Sequence, residues 1–221
     1  MLTWEMIKLE VLPGILETLF MTVGSTVFAY IIGLPLGVIL YVTDKTGIRP
    51  IPWLNRVLGF VVNFLRSVPF IILLVWVIPV TRAIVGTSIG SKAMIVPLVI
   101  AAAPFIARMV ESSLKEVDQG VIEAAESMGT SSFQLIYKVL IPEAKPSLLV
   151  GGAIAITTIL GYSALAGTVG GGGLGSIAYN YGYIRRAEDV LLISVVLLVI
   201  IVQIFQEVGM RIAKKTDKRV K

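Results

Sequence analysis

The chain has 221 residues, of which 56% are hydrophobic and only 15% are charged. Soluble domains carry about 25% charged residues, so this composition favours an integral membrane protein. There is no cysteine, which excludes disulfides, thiol chemistry and a lipoprotein anchor, and no histidine, which removes the commonest general base and metal ligand. We therefore expect neither a cofactor nor a metal in this chain.

The chain begins MLTWEMIKLEVLPG, and this stretch does not have the pattern of a signal peptide. It lacks a basic start, and Glu5 and Glu10 interrupt any apolar region. We interpret it as a short amphipathic helix lying on the membrane surface, with Trp4 anchored at the interface.

Five apolar stretches follow in chain order, and a helix needs roughly 20 mostly apolar residues to cross a bilayer. They occupy residues 15–43, 57–80, 92–111, 147–169 and 188–209. Arg66 is the one charge within the second stretch and can snorkel toward headgroups. Arg108 and Glu111, three residues apart, are expected to form a structural ion pair at the membrane edge. The sequence thus predicts an all-α integral membrane protein, a single transmembrane domain over residues 1–221 with about five spanning helices.

The basic residues set the direction of these spans, because cytoplasmic connections carry an excess of Lys and Arg. The C-terminal tail RIAKKTDKRVK is strongly basic, and Lys45, Arg49 and Arg56 lie in a connection on the same side. An odd number of spans then predicts an N-terminus outside and a C-terminus in the cytoplasm. A basic rim facing anionic lipid explains the net charge of +5, so we expect the lipid bilayer, and no nucleic acid, as a partner.

Small residues and prolines recur within the apolar stretches. Gly33-Leu-Pro-Leu-Gly37 has small residues four apart, and the stretch from Gly151 to Ala164 is rich in glycine, alanine and serine. Such faces favour close helix packing within one subunit, and they also leave room for a translocation path. Both interpretations stay open at this point. Prolines at positions 35, 69, 97 and 104 predict kinks or loosened backbone.

Between the third and fourth apolar stretches lies a polar segment, residues 112–146, that has the pattern of two helices. Gly129 fits the position just after a helix, where glycine adopts a positive φ at little cost. Ser131-x-x-Gln134 then predicts the capping box of a second helix, whose apolar stripe is followed by prolines that end it. The stripe consists of Phe133, Ile136, Tyr137 and Leu140, and the prolines are Pro142 and Pro146. Such a helix pair suits either the bilayer surface or another protein.

The polar segment resembles the EAA loop in the permeases of bacterial ATP-binding cassette (ABC) importers. The resemblance is carried by Glu123-Ala124-Ala125, Gly129 and the run from Val139 to Pro142, with valine and isoleucine where that family has isoleucine and leucine. It implies the type I importer permease fold, in which this loop forms a coupling helix that docks on a separate ATPase subunit. The coupling role then falls on Glu123, which would cap or pair at the docking helix, and on Ala124, Ala125, Met128, Gly129 and Pro142.

Longer stretches are similar to methionine importer permeases, and the likeness covers nearly the whole chain. They include Arg66 to Trp76, Ile84 to Gly90, Ala103 to Glu111 and Gly161 to Ala164. The resemblance implies a homodimeric permease in the bacterial inner membrane, two ATPase subunits that hold ATP and magnesium, and an extracytoplasmic methionine-binding lipoprotein. The substrate would be L- and D-methionine, and the alternative is another small amino acid or a peptide. The resemblance also marks pathway or gate residues, namely Arg66, Pro69, Gly161, Tyr162 and Ser163.

Other motifs point away from catalysis in this chain. Gly170 to Gly175 satisfies G-x-G-x-x-G, but a dinucleotide site needs a preceding strand, and an apolar span precedes the motif here. We expect a flexible extracytoplasmic loop near the pathway mouth. Tyr179, Tyr181 and Tyr183 could face a docked binding protein, but we favour local packing against this loop. No G-x-x-x-x-G-K-[ST] occurs, so we expect that this chain is not an enzyme and that, if ATP drives transport, another subunit binds it. A secondary carrier is disfavoured because the predicted spans have no Asp, Glu or His near their centres.

Overall fold

The computed structural model describes residues 6–217, and every regular element in this part of the chain is helical. The predicted all-α fold is therefore confirmed. Two of the helices include a widened, π-type stretch, at Leu135–Leu140 and at Ala178–Ile184. The helices are α1 (Ile7–Thr43), α2 (Pro52–Ser67), α3 (Phe70–Trp76), α4 (Ile78–Val85), α5 (Ser91–Lys115), α6 (Gln119–Ser127), α7 (residues 132–143), α8 (Lys145–Ala166), α9 (residues 173–184) and α10 (Glu188–Thr216).

Four helical stretches in the described part are long and apolar enough to cross a membrane. They are Ile7–Thr43, Ser91–Lys115, Ser132–Val169 and Glu188–Thr216. The bent pair α2 and α3 supplies a fifth span if it is counted as one. Length and composition thus agree with the number of spans that the sequence predicts.

α1 is much longer than a bilayer requires. Its 37 residues extend ~55 Å at ~1.5 Å per residue, whereas the hydrocarbon core measures about 30 Å. It starts with a widened turn, in which the Leu12 N–H donates to the Ile7 carbonyl, and Pro13 follows directly. The separate surface helix predicted for the first residues is therefore wrong within the described part, because the backbone stays helical through Val11 and Leu12. Trp4 lies outside the described residues.

The second apolar stretch is broken at Pro69, which confirms the kink predicted for that proline. The axes of α2 and α3 differ by 105°. Val68 between them is extended, with φ −78° and ψ 123°, because the residue before a proline avoids the α-helical region. Pro69 then occupies the N-cap of α3, and a second break at Val77 separates α3 from α4.

α1 packs closely against α5 at its glycines. A Cβ atom on Gly33 would lie 2.8 Å from the carbonyl oxygen of Ala103, and one on Gly37 would lie 2.5 Å from that of Ala107. Only glycine permits this approach, so the close packing predicted for Gly33 to Gly37 is confirmed. The prolines at positions 35, 97 and 104 lie inside these two helices.

The connections between the long helices gather at two ends of the bundle. At one end Lys115 contacts Asp44, and Pro142 lines a cleft with Asp217. We call this the polar-segment end. At the other end the Gly90 N–H donates to the Gly170 carbonyl and the start of α1 contacts α9, and we call this the glycine-loop end.

Candidate functional site

The polar segment folds as a helix, a glycine turn and a second helix. The Gly120 N–H donates to the Asp118 carboxylate at 2.7 Å, so Asp118 caps α6. At the other end of α6, Gly129 has φ 76° and the Thr130 N–H donates back to the Ala125 carbonyl at 3.3 Å. This bond spans six residues, as in the helix terminations that require a left-handed residue, and it confirms the predicted role of Gly129.

The second helix of the segment, α7, begins as predicted but does not end as predicted. The Gln134 N–H donates to the Ser131 hydroxyl at 3.4 Å, and the Ser131 N–H donates to the Gln134 side chain at 3.2 Å, which completes the capping box. Pro142 and Pro146 do not stop the helical path, which continues through Ala144 into α8. Each proline lies in the first turn of a new helical stretch, where the missing N–H costs little.

The two helices of the segment bury one side and expose another. Ile122 and Ala125 of α6 and Leu135 and Leu140 of α7 are at most 6% exposed and belong to the main apolar cluster. The opposite side presents large apolar residues to the surroundings, and we call these four residues the apolar docking face. They are Val121 (39% exposed), Met128 (79%), Phe133 (76%) and Tyr137 (66%).

The coupling residues predicted from the sequence divide between these two sides. Ala125 is buried, whereas Glu123, Ala124, Met128 and Gly129 are exposed, and so is Pro142 further along the segment. The prediction that Glu123 caps the helix is wrong, while its pairing at the docking helix stays a prediction. Asp118 is the cap, and the Glu123 carboxylate has no ion pair among the described residues.

Four charged side chains, which we call the charged network, join three helices at the polar-segment end. Glu111 is only 6% exposed, and its two oxygens accept from Arg108 at 2.6 Å and from Lys115 at 2.9 Å. Arg108 also donates to the Gly59 carbonyl of α2, and Lys115 donates to Asp44 at the end of α1. The predicted pair of Arg108 and Glu111 is confirmed, within a network that fixes α1 and α2 to α5 directly before the polar segment.

The connection between α1 and α2 also contacts the polar segment. The Lys115 ammonium, by hydrogen bonding and by its charge, lowers the pKa of Asp44 below its usual value of 3.8, and the N–H groups of Thr46 and Lys45 assist. Five residues further on, Arg49 donates to the Ser132 hydroxyl at the start of α7 at 3.0 Å. The connection after α1 thus contacts the chain directly before the polar segment, at Lys115, and again at the start of α7, at Ser132.

Two of the predicted pathway residues line one cavity. Arg66 and Tyr162 share a space of about 180 Å³ beside the α2–α3 bend, together with Phe70 and Phe105. The rings of Phe70 and Tyr162 stack 4.6 Å apart at 6°. A cationic group next to stacked aromatic rings can hold a carboxylate and an apolar side chain at the same time.

The other three predicted pathway residues lie elsewhere. Pro69 is exposed at the bend itself, and Gly161 lines a separate cleft of about 310 Å³ with Tyr179 and Tyr183 of α9. Ser163 is 1% exposed and its hydroxyl donates to the Leu160 carbonyl of its own helix.

The glycine-rich loop is not a dinucleotide site, since a helix and not a strand precedes it. Its backbone is held instead by Glu17, whose carboxylate accepts from the Gly173 N–H at 2.6 Å. Tyr179 and Tyr183 stack on each other, with their ring centroids 5.8 Å apart, and the Arg185 guanidinium lies 4.5 Å from the Tyr181 ring centroid. The expected packing of the three tyrosines against the loop stays a prediction.

Sequence reasoning missed the roles of Glu17, Asp44 and Lys115. The available signal for Glu17 was its position near the start of the first apolar stretch, residues 15–43, because a carboxylate there needs a partner. Asp44 and Lys115 had no comparable signal, since charges at the ends of spans are common.

Comparison with known proteins identifies the family. A family described as "Binding-protein-dependent transport system inner membrane component" matches residues 33–221. A probable D-methionine transport system permease protein, MetI, of Vibrio cholerae is 49% identical over 203 residues, covering 92% of this chain and 90% of that protein. The D-methionine transport system permease protein MetI of Escherichia coli K12 is 54% identical over 154 residues, covering 70% of this chain and 71% of that protein.

Solved structures agree with the family. A chain from the inward-facing MetNI methionine ABC transporter matches with a TM-score of 0.96 at 50% identity, covering 98% of this chain and 100% of that one. A chain from an amino acid ABC transporter matches with a TM-score of 0.76 at 19% identity over 92% of each chain, which shows a shared fold alone. The chain therefore belongs to the binding-protein-dependent transport system inner membrane component family, the membrane permease components of ABC transporters.

Proposed function

We propose that this chain is the permease subunit of an ATP-driven importer that carries methionine, in its L and D forms, into the cytoplasm. The single observation that supports this most strongly is the match at 50% identity and a TM-score of 0.96, over nearly the whole chain, to a methionine ABC transporter. In this proposal the chain forms the pathway and transmits force. ATP and magnesium bind to two partner ATPase subunits.

The apolar docking face is the surface that those ATPase subunits would cover. Met128 and Phe133 of the polar segment are 79% and 76% exposed. Exposed apolar groups in such a cluster are typical of protein interfaces. The carboxylate of Glu123 and the small side chain of Ala124, both exposed beside this face, would contact the ATPase, while Ala125 packs inward and Gly129 sets the angle between the two helices.

The charged network would carry the movement of the docked segment into the spans. Lys115 is the last residue of α5, and the polar segment starts directly after it. Because Glu111 joins α5 to α2 through Arg108 and to α1 through Lys115 and Asp44, the three helices would move together when ATP binding closes the ATPase pair. This is alternating access by rigid-body rotation, and release of the hydrolysis products would reset it.

The cavity beside the α2–α3 bend is the proposed passage. Arg66 would offer its guanidinium to the substrate carboxylate, and the stacked rings of Phe70 and Tyr162 would contact the methionine thioether. Pro69 fixes the bend that brings Arg66 to this cavity, and Gly161 and Ser163 flank Tyr162 on α8.

The charge distribution supports an orientation of the chain in the membrane and a partner at each end. The basic tail and the connection carrying Lys45, Arg49 and Arg56 favour a cytoplasmic polar-segment end, with the N-terminus outside. The glycine-loop end would then face a methionine-binding lipoprotein outside the bacterial inner membrane. A second copy of this chain would complete the pathway, as is usual for such symmetric assemblies.

The test is uptake of labelled methionine by proteoliposomes that contain this chain, its ATPase and its binding protein. We expect uptake that requires ATP and that excess L- or D-methionine abolishes. Competition by a different amino acid or a peptide, and not by methionine, would indicate the alternative substrate. Uptake driven by an ion gradient without ATP would indicate a secondary carrier and contradict the proposal.

A further inference from the structure

The first helix holds the glycine-rich loop and α9 through contacts to which the transport function above assigns no role. The Gly173 N–H donates to the Glu17 carboxylate at 2.6 Å, and the Leu174 N–H donates to the Thr18 hydroxyl at 2.9 Å. These are the first two N–H groups of α9, which cannot have partners within the helix. Thr18 and Leu174 are 1% and 0% exposed, so water does not replace the second bond.

The contact continues along α9 in register. A Cβ atom on Gly14 would collide with the Ile177 side chain, and Tyr181 packs against the same apolar cluster as Val11 of α1. Glu10, Gly14 and Glu17 are spaced four and three residues apart and therefore share one face of α1. The start of α9 is thus held by the Glu17 carboxylate, and the rest of α9 packs against the same helix through apolar contacts.

α9 in turn positions α8, which carries Gly161 and Tyr162. A Cβ atom on Gly175 would meet the Ala164 backbone, so α9 and α8 are in direct backbone contact. Tyr179 and Tyr183 of α9 line a cleft together with Gly161. A change in the position of α9 against α1 would therefore shift the part of α8 that lies nearest the glycine-loop end.

We propose that Glu17 is a positioning residue for transport, which, with Thr18, fixes the start of α9 against α1 and keeps the glycine-loop end of the pathway closed in this conformation. The need for an acceptor oxygen at this point explains why α1 keeps a carboxylate so close to its apolar part. The role in transport rests on the function proposed above, while the contact itself does not.

The experiment uses the absence of cysteine in the chain. Ile177→Cys places a single thiol at a site that is 5% exposed between α9 and α1. The purified complex with the ATPase is treated with a maleimide, and the labelling rate is compared among three forms, with Glu17, Glu17→Gln and Glu17→Leu. Gln keeps an acceptor oxygen, so we expect its rate to stay near that of Glu17. Leu has none, and we expect labelling about tenfold faster.

A second cysteine distinguishes release of α9 from general loosening. Ala102→Cys lies in the middle of α5, where the residue is 2% exposed, and its labelling should be the same with Glu17 and with Leu at position 17. Faster labelling at both positions would overturn the proposal, and so would a Leu variant that labels Ile177→Cys no faster than Glu17 does. A Gln variant as fast as Leu would overturn the role assigned to the acceptor oxygen.

The role of Glu17 in transport is tested by the rate at which the complex hydrolyses ATP in the absence of the binding protein. If the contact of Glu17 with α9 keeps the pathway in a resting state, Glu17→Leu raises this basal rate of ATP hydrolysis about threefold or more, and Glu17→Gln does not. An unchanged basal rate in the Leu variant would overturn the transport role. Failure of the unmodified complex to take up methionine would instead contradict the proposed function, and it would leave the labelling rates unaffected.

Discussion

The two ends of the helix bundle hold their connecting segments by different chemistry. At the polar-segment end, the Glu111 carboxylate is buried between two cations, Arg108 and Lys115. At the glycine-loop end, the Glu17 carboxylate accepts from a backbone N–H, and no basic side chain pairs with it among the described residues. Both ends use a carboxylate on a long helix to fix a segment that is distant in sequence.

The difference follows from the groups that each segment offers. The polar segment and its neighbouring connection carry many charged side chains, so opposite charges are available and a buried carboxylate can be neutralised. The glycine-rich loop carries no charge, and its donors are backbone N–H groups, which glycine exposes because it has no side chain. The stability of the polar-segment end should therefore respond to changes in side-chain charge. The stability of the glycine-loop end should respond to changes in side-chain volume and to loss of the hydrogen-bond acceptor.

The largest effect is expected from Glu111→Gln. The change leaves Arg108 and Lys115 without their shared counter-charge, and removal of one member of a buried ion pair costs roughly 3 kcal/mol. Thermal unfolding of the purified permease, followed by the fluorescence of its 3 tryptophans, should show a clear loss of stability.

The matched control for that change is Glu207→Gln. Its partner is Arg211, and the two side chains are 62% and 72% exposed, so the loss should stay below about 0.5 kcal/mol. Equal losses in the two variants would show that burial of Glu111 does not matter for stability.

At the glycine-loop end, Gly175→Ala should destabilise by about 2 kcal/mol without any change of charge. The new Cβ would lie 2.7 Å from the Ala164 Cα and still closer to its carbonyl oxygen, and a backbone neighbour cannot yield as a flexible side chain can. Gly24→Ala in α1 is the control, because its Cβ would meet only the Ile95 side chain at 3.4 Å. The same unfolding assay applies, and a neutral Gly175→Ala would contradict the close contact of α8 and α9.

Features that depend on a few neighbouring residues could be predicted from the sequence. The positive φ of Gly129, the capping box of Ser131 and Gln134, and the pair of Arg108 and Glu111 each follow from residues at most four apart. The lengths of the apolar stretches similarly predicted the membrane-crossing helices, because about 20 consecutive apolar residues are enough to span a bilayer whatever the rest of the chain does.

Features that depend on distant parts of the chain could not be predicted in this way. Glu17 and Gly173 are 156 residues apart, and Lys115 and Asp44 are 71 apart, so only the folded chain shows them as partners. The apolar stripe predicted for α7 does not lie on one side of the helix, since Phe133 and Tyr137 are exposed and Leu140 is buried. The reason is a change in helix geometry. The widened stretch Leu135–Leu140 has more residues per turn than an α-helix, which rotates Tyr137 away from the buried side that Leu140 occupies.

Gly129→Val tests the polar segment at a point where no charge is involved. Nothing lies within 4 Å of a Cβ at this position, so the cost comes from the φ of 76° and amounts to about 1–2 kcal/mol. We expect a folded permease whose docking face is misplaced, with ATP hydrolysis uncoupled from methionine uptake. Gly129→Asn should retain coupling, because asparagine adopts a positive φ more readily. Normal uptake by the Val variant would contradict the docking role.

The smallest expected effect is the dependence of stability on pH through Asp44. Its pKa is lower in the folded chain than the ordinary 3.8, chiefly because of the hydrogen bond from Lys115. The stabilisation is therefore fully present above pH 3.8 and is lost as the pH falls through the folded value. Lys115 is 46% exposed, so the contribution should stay below about 1 kcal/mol and weaken in high salt. Unfolding of the parent and of Asp44→Asn should differ at pH 6, and the difference should shrink as the pH falls below 3.8 and through the folded pKa, because protonation then removes the same charge as the substitution. A difference that persists at low pH would show that Asp44 stabilises the connection by shape and hydrogen bonding and not by its charge.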